Sequence, residues 1–185
     1  GIDAVGLFKT SINTVTGVIG IISSATVSVL FPSLSRAQGN EKLFEKIFLD
    51  YQKIVGLVVI PLGVGMFLYR DLLTDVLLGK QWISCADFVG AYALVCSLAI
   101  ITNSFFSEYY RAKGKPRISM IAQLIYLCIL TPATYLSSQI SFDCLWITTC
   151  CMVLVFMLIH FCILKAVFRA DIRKMLVNVL LISVP

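Results

Sequence analysis

Residues 5–31 run twenty-seven positions with one charge, Lys9, before Pro32 closes the stretch. As an α-helix this stretch would be roughly 40 Å long, enough to cross a bilayer core of about 30 Å with some tilt. It is not apolar all round. At 100° per residue Lys9, Asn13, Thr16, Gly20 and Ser23 form one stripe, with Thr10, Gly17, Ser24 and Ser28 beside it. The opposite side carries Phe8, Ile12, Val15, Ile19, Ile22 and Val29. A membrane helix of this kind must turn its polar half toward other helices or a wet cavity.

The remaining chain repeats the apolar theme. Of 185 residues 59% are hydrophobic and only 14% charged, with a mean hydropathy of +0.94. A soluble domain this apolar has too little polar surface to stay dissolved, so the composition specifies an integral membrane protein. Five spans can be drawn, at 5–31, 53–69, 88–110, 118–136 and 145–167, and a truncated sixth opens at about 172. No two-residue alternation marks them, so they are expected as helices. The chain begins at Gly1 and stops inside an apolar run at Pro185, as a piece of a longer protein would.

The loops supply an orientation. The first carries Arg36, Lys42, Lys46 and Lys53, and the third Arg111, Lys113, Lys115 and Arg117. The tail carries Lys165, Arg169, Arg173 and Lys174, against only Arg70 and Lys80 in the second loop and no basic residue in the fourth. The positive-inside bias puts the first and third loops in the cytoplasm, so the first helix runs from outside to inside. Trp82 and Trp146 then mark the outer boundary, and Tyr51, Tyr109 and Tyr110 the inner one. Pro61, Gly63 and Gly65 should loosen the second span and Pro132 should kink the fourth. Leu72, Leu73, Val76 and Leu77, set among charges, predict a short helix on the outer surface.

Few residues could carry chemistry. Lys9 has two readings. Its ammonium snorkels to the outer interface, or it stands at a water-filled cavity above Asn13 and Thr16 and holds an anionic head group. On the third span Gly90, Ala93, Ser97, Ser104, Ser107, Glu108 and Arg111 form a polar line with Asn103 adjacent. Small residues there suit close helix packing. Glu108 either pairs with Arg111 at i,i+3 or takes and releases a proton or Na⁺ as an ion-coupling group. His160 is a packing histidine or a proton relay, the second ion-coupling candidate. Gln123 and Tyr126 suit interhelical hydrogen bonds. The seven cysteines lack CxxC or Cys/His spacing and behave as small hydrophobes. No GxxxxGK[ST], HExxH or Ser/His/Asp set can be assembled, so no enzyme, metal or cofactor is expected. The net charge of +5 lies in short loops and does not indicate nucleic acid.

The order of several segments carries a resemblance. Ala4-Val5-Gly6-Leu7-Phe8 is followed by Val29-Leu30-Phe31-Pro32-Ser33-Leu34-Ser35-Arg36, and then by Pro61 in the next span. Leu77-Leu78-Gly79-Lys80-Gln81-Trp82 and Ala112-Lys113-Gly114-Lys115-Pro116-Arg117 come next. Together they resemble the polysaccharide transporters and O-antigen flippases of the multidrug/oligosaccharidyl-lipid/polysaccharide exporter superfamily. The pattern usually has Gly-Arg-Pro where this chain has Gly114-Lys115-Pro116. The resemblance implies an all-α polytopic membrane protein, here part of the C-terminal lobe of a two-lobed transporter of 12–14 helices in the bacterial inner membrane. It implies a polyprenyl-pyrophosphate-linked oligosaccharide as substrate, moved by alternating access among membrane lipids. Polysaccharide polymerase and glycosyltransferases would be its partners. Lys9, Asn13, Thr16, Gly20 and Ser24 are then the candidates to line the cavity. A drug or cation exporter of the same fold, a non-transporting assembly subunit and a membrane-bound glycan enzyme are the rivals.

Overall fold

A computed structural model describes residues 2–168. Its order is α1 (Ile2–Arg36), α2 (Glu41–Leu68), a short α3 (Arg70–Leu77), then a 3₁₀ segment (Lys80–Cys85) leading into α4 (Ala86–Ala99). A π-helical turn, Ile100–Ser104, joins α4 to α5 (Phe105–Ala112). The chain ends its described part with α6 (Pro116–Ser138) and α7 (Phe142–Ile163), the latter widening into a second π turn, Leu164–Phe168. Among the described residues there is no strand, and five helical stretches are long and apolar enough to cross a membrane. These are Val5–Arg36, Glu41–Leu68, Lys80–Ala112, Pro116–Ser138 and Phe142–Ala166. The sixth span expected from about 172 lies outside the described residues.

Local chemistry explains the helix ends. Asn40 caps α2, its side chain accepting a hydrogen bond from the Leu43 N–H at 3.1 Å, and Ser141 caps α7 by accepting from Cys144 N–H at 3.1 Å. Pro116 starts α6, where a missing N–H costs nothing. Gly114, at φ +71°, turns the chain between α5 and α6 in a conformation other residues rarely adopt. The second span therefore begins well before Lys53. Charges at Glu41, Lys42, Glu45, Lys46 and Asp50 depress its hydropathy, yet Phe44, Phe48, Gln52 and Val55 recur at helical spacing and are buried. The first loop shrinks to residues 37–40, and Lys42, Lys46 and Lys53 sit on the helix instead. The short helix expected around Leu72–Leu77 is α3, which Arg70 holds against α4 through a 2.8 Å ion pair with Asp87.

The third span, Lys80–Ala112, is the axis of the bundle and its most buried helix. α1, α2 and α7 all pack on α4, while α6 leans on α7 and buries only Ala122 and Ser137. Leu124, Ile125, Leu127 and Ile129 of α6 stay exposed, as a lipid-facing surface requires. Along α2 the contact with the axis forms a ladder. Gly63 meets Ala93 and Ser97, Gln52 meets Ile101, Phe48 meets Phe105 and Tyr109, and Phe44 meets Tyr109. The aromatic pairs stand 5.1–6.0 Å apart, edge to face, each adding about 0.5–1.5 kcal/mol.

At the end where α1 stops, α2 starts and α5 stops, polar groups bind the three helices. Lys113 pairs with Glu41 at 3.2 Å and lies 4.5 Å from the centre of the Phe44 ring. Arg111 covers the Phe31 ring at 4.7 Å, and the Gln38 amide donates to the Ala112 carbonyl.

At Gly63 the backbone of α2 lies close against the central span. A Cβ there would lie 2.6 Å from Ser97 Cβ and 3.2 Å from the Ala93 carbonyl oxygen, and would overlap Ser97 Oγ. Gly65, two residues on, has no atom within 4 Å of such a Cβ. Gly63→Leu should therefore cost about 1–3 kcal/mol through overpacking, seen as a lower Tm of the purified protein. Gly65→Ala should leave Tm unchanged or raise it, since alanine favours the helix by up to about 1 kcal/mol.

Candidate functional site

α1 buries Ser11, Val15, Ile19, Leu30 and Leu34 against its neighbours. This turns its polar half the other way. Lys9, Asn13, Thr16 and Ser24 are exposed, and Gly20 is half-buried. Lys9, Asn13 and Ser24 thus face away from the described helix contacts.

One edge of that stripe forms a cleft. Thr16, Ile19, Gly20 and Ser23 face Cys96, Ala99, Ile100, Asn103 and Ser104 across a space of about 220 Å³. Gly20 lies close to the middle of the span Val5–Arg36 and Cys96 close to the middle of Lys80–Ala112. The cleft therefore sits half-way along both helices, where an unsatisfied polar group is most costly in lipid. Of the five candidate residues the structure brings Thr16 and Gly20 into this cleft. Lys9, Asn13 and Ser24 lie on the same open side of α1 but do not line it.

The hydroxyls on this face already have partners within their own helix. Thr16 Oγ1 donates to the Ile12 carbonyl at 2.8 Å, Ser24 Oγ to Ile21 at 3.0 Å and Ser28 Oγ to Ala25 at 2.7 Å. Each keeps oxygen lone pairs directed outward. Asn13 brings an amide, able both to donate and to accept, and Lys9 brings a positive charge. Lys9 has no ion-pair partner among the described residues.

The facing wall comes from the π turn. Asn103 and Ser104 stood in the sequence as members of a polar line on the third span, with nothing to bring them opposite Thr16. Helix pairing supplies that, because an interhelical contact has no signature in either helix alone. Cys96 belongs to the same wall, although its spacing suggests only filler.

The two ion-coupling candidates sit elsewhere. Glu108 is 6% exposed and accepts from Arg111 Nη1 at 2.7 and 3.0 Å, so its carboxylate has a positive partner one turn away. His160 is fully buried. Its Nδ1 lies 3.2 Å from the Tyr110 hydroxyl, which also approaches the His160 carbonyl at 3.3 Å. Phe156 and Tyr110 flank the imidazole at 4.6 and 5.7 Å, and Nε2 has no hydrogen-bond partner among the described residues. Neither residue lines the cleft. Tyr126 stacks on Phe156 at 4.3 Å, whereas Gln123 is exposed. Among the described residues no cluster of His, Cys, Asp or Glu could hold a metal ion, and the cysteines are free thiols.

Residues 1–87, which carry α1, α2, α3 and the start of the third span, match the family described as polysaccharide biosynthesis protein. The teichuronic acid biosynthesis protein TuaB of Bacillus subtilis (strain 168) is 23% identical over 103 residues, covering 56% of this chain and 21% of that relative. The chain thus spans about a fifth of the length of the curated relative it matches. No solved structure matches it. The five spans support a multi-pass membrane protein, and its first 87 residues are similar to a polysaccharide biosynthesis family.

The Glu108–Arg111 pair can be probed directly. Arg111→Met leaves a buried carboxylate without its partner and should lower Tm, whereas the double replacement Glu108→Gln with Arg111→Met should recover most of the loss. Retained function in Glu108→Gln would assign Glu108 to structure; lost function at unchanged Tm would assign it to ion coupling.

Proposed function

We propose that this chain forms part of a flippase for polyprenyl-pyrophosphate-linked oligosaccharide, working by alternating access in the bacterial inner membrane. The observation that carries the reading is the hydroxyl- and amide-bearing side of α1, open along its length and indented at mid-span by the cleft. Oxygen acceptors at that depth suit the hydroxyls of a glycan, which must cross a layer that offers it no hydrogen bonds. The similarity of residues 1–87 to a polysaccharide biosynthesis family supports the same substrate class.

Lys9 has a part in this reading. It stands toward the first end of the span, the outer end in the loop-charge orientation, and brings to the open face an ammonium with no ion-pair partner among the described residues. A pyrophosphate attracts such a charge strongly. Asn13 and Thr16 follow it one and two turns deeper, where the first sugars would lie. The protein then makes and breaks no covalent bond, and the glycosyltransferases and polymerase that build and extend the glycan act on either side of it.

A drug or cation exporter of the same fold would place a carboxylate in the cleft. Thr16, Ser23, Asn103 and Ser104 bring none, and Glu108 is held by Arg111 away from it. An assembly subunit without transport would leave Asn13 and Thr16 dry.

Lys9→Leu with Asn13→Leu in the full-length protein should lower surface polysaccharide at least fivefold while membrane levels of the protein stay normal. Unchanged polysaccharide at normal protein level would sink the assignment of this face. Cysteines placed at Asn13 and Thr16 should react with a membrane-impermeant maleimide, and failure of both to react would favour the assembly subunit.

A further inference from the structure

The π turn Ile100–Ser104 interrupts the most buried span of the molecule at the level of the cleft. Its outer residues Ile100, Asn103 and Ser104 form cleft wall, while Ile101 and Thr102 are buried on the other side. Wide turns of this kind are one residue longer than the α-helix they replace, and they are costly unless something holds them.

Helix geometry gives the turn a role. Ala93, Ser97, Ile101, Phe105 and Tyr109 all meet α2 and follow one another at intervals of four. In a regular α-helix each such step rotates the contact by about 40°, so the ladder would drift by about 160° and leave α2. The extra residue of the π turn takes back roughly 100° of that. The upper and lower halves of the ladder can then engage α2 together.

One side chain of α2 reaches the turn. The Ile101 carbonyl accepts from Gln52 Nε2 of α2 at 3.2 Å. Gln52 is fully buried, and its Oε1 has no partner among the described residues. An amide kept in an apolar interface with an unmet acceptor costs stability. The bond to the π turn accounts for its presence.

We infer that Gln52 is a positioning residue that keeps the turn in its wide form, so that Cys96 on α4 and Asn103 beyond the turn face the same cleft. Without the Gln52 donor, the Ile101 carbonyl is satisfied by closing the turn to the α form. That change rotates α5 against α4 by about 100° and shifts it by about 1.5 Å. Cleft wall and α2 ladder are thereby coupled through one hydrogen bond. The inference holds whatever the cleft carries.

The test is the labelling of two cysteines, native Cys96 and an introduced Asn103→Cys, in the full-length protein. Each is read separately by mass spectrometry after reaction with a small maleimide. Gln52→Met keeps the length and bulk of the side chain but removes the donor, and should accumulate normally. The ratio of Asn103→Cys to Cys96 labelling should fall at least threefold in it. Gln52→Leu serves as a second variant with the same expected fall. A ratio within 1.5-fold of the parent in either variant overturns the inference. Because labelling does not depend on sugar transport, that result leaves the flippase reading untouched, and loss of polysaccharide with an unchanged ratio also counts against Gln52 as a positioning residue.

Discussion

Lipid tails are as apolar as leucine, so helices in a membrane gain little by hiding apolar surface from water and must instead fit closely. Here that fit depends on the contact of Gly63 with Ala93 and Ser97. It sets the distance between α2 and the central span, and everything along the ladder inherits that distance. With the helices this near, the Gln52 amide reaches a carbonyl of the neighbouring helix, and Phe48 and Phe44 reach Phe105 and Tyr109. α1 and α7 then pack on the remaining sides of the axis, and the cleft is the space left where α1 passes the widened turn.

The five spans were legible because each is a long apolar run, and no other structure satisfies so much backbone in lipid. The ends were less so. Charges between Glu41 and Lys53 hide the first turns of α2 from a hydropathy reading, although Phe44, Phe48 and Gln52 mark them at four-residue spacing. The division of α1 into two faces was also plain, but not which face the bundle would take. Val15 and Ile19 decided that, since only their side complements the aromatic and small residues of the central span.

The cleft was half legible. Thr16 and Gly20 stood out on α1, while Asn103 and Ser104 stood out on another helix for another reason. A regular α-helix would spread Ala93, Ser97, Ile101, Phe105 and Tyr109 over about 160° of its circumference, so their strict four-residue repeat along one partner was itself a sign of a wide turn. That signal depends on knowing that all five face one partner, which is tertiary information. Lys9 and Ser24 show the converse, since they share a stripe with the cleft residues without entering the cleft.

The hydroxyls of α1 that bond back to their own carbonyls have a further consequence. A serine or threonine whose proton is already engaged asks little of its surroundings: in water its lone pairs are hydrated, and against hydrocarbon it loses only that hydration. Thr16, Ser24 and Ser28 therefore make a surface that tolerates both wetting and drying at small cost. A wall that has to meet an aqueous path at one moment and an apolar one at the next would be built from such residues, and one lined by carboxylates would not.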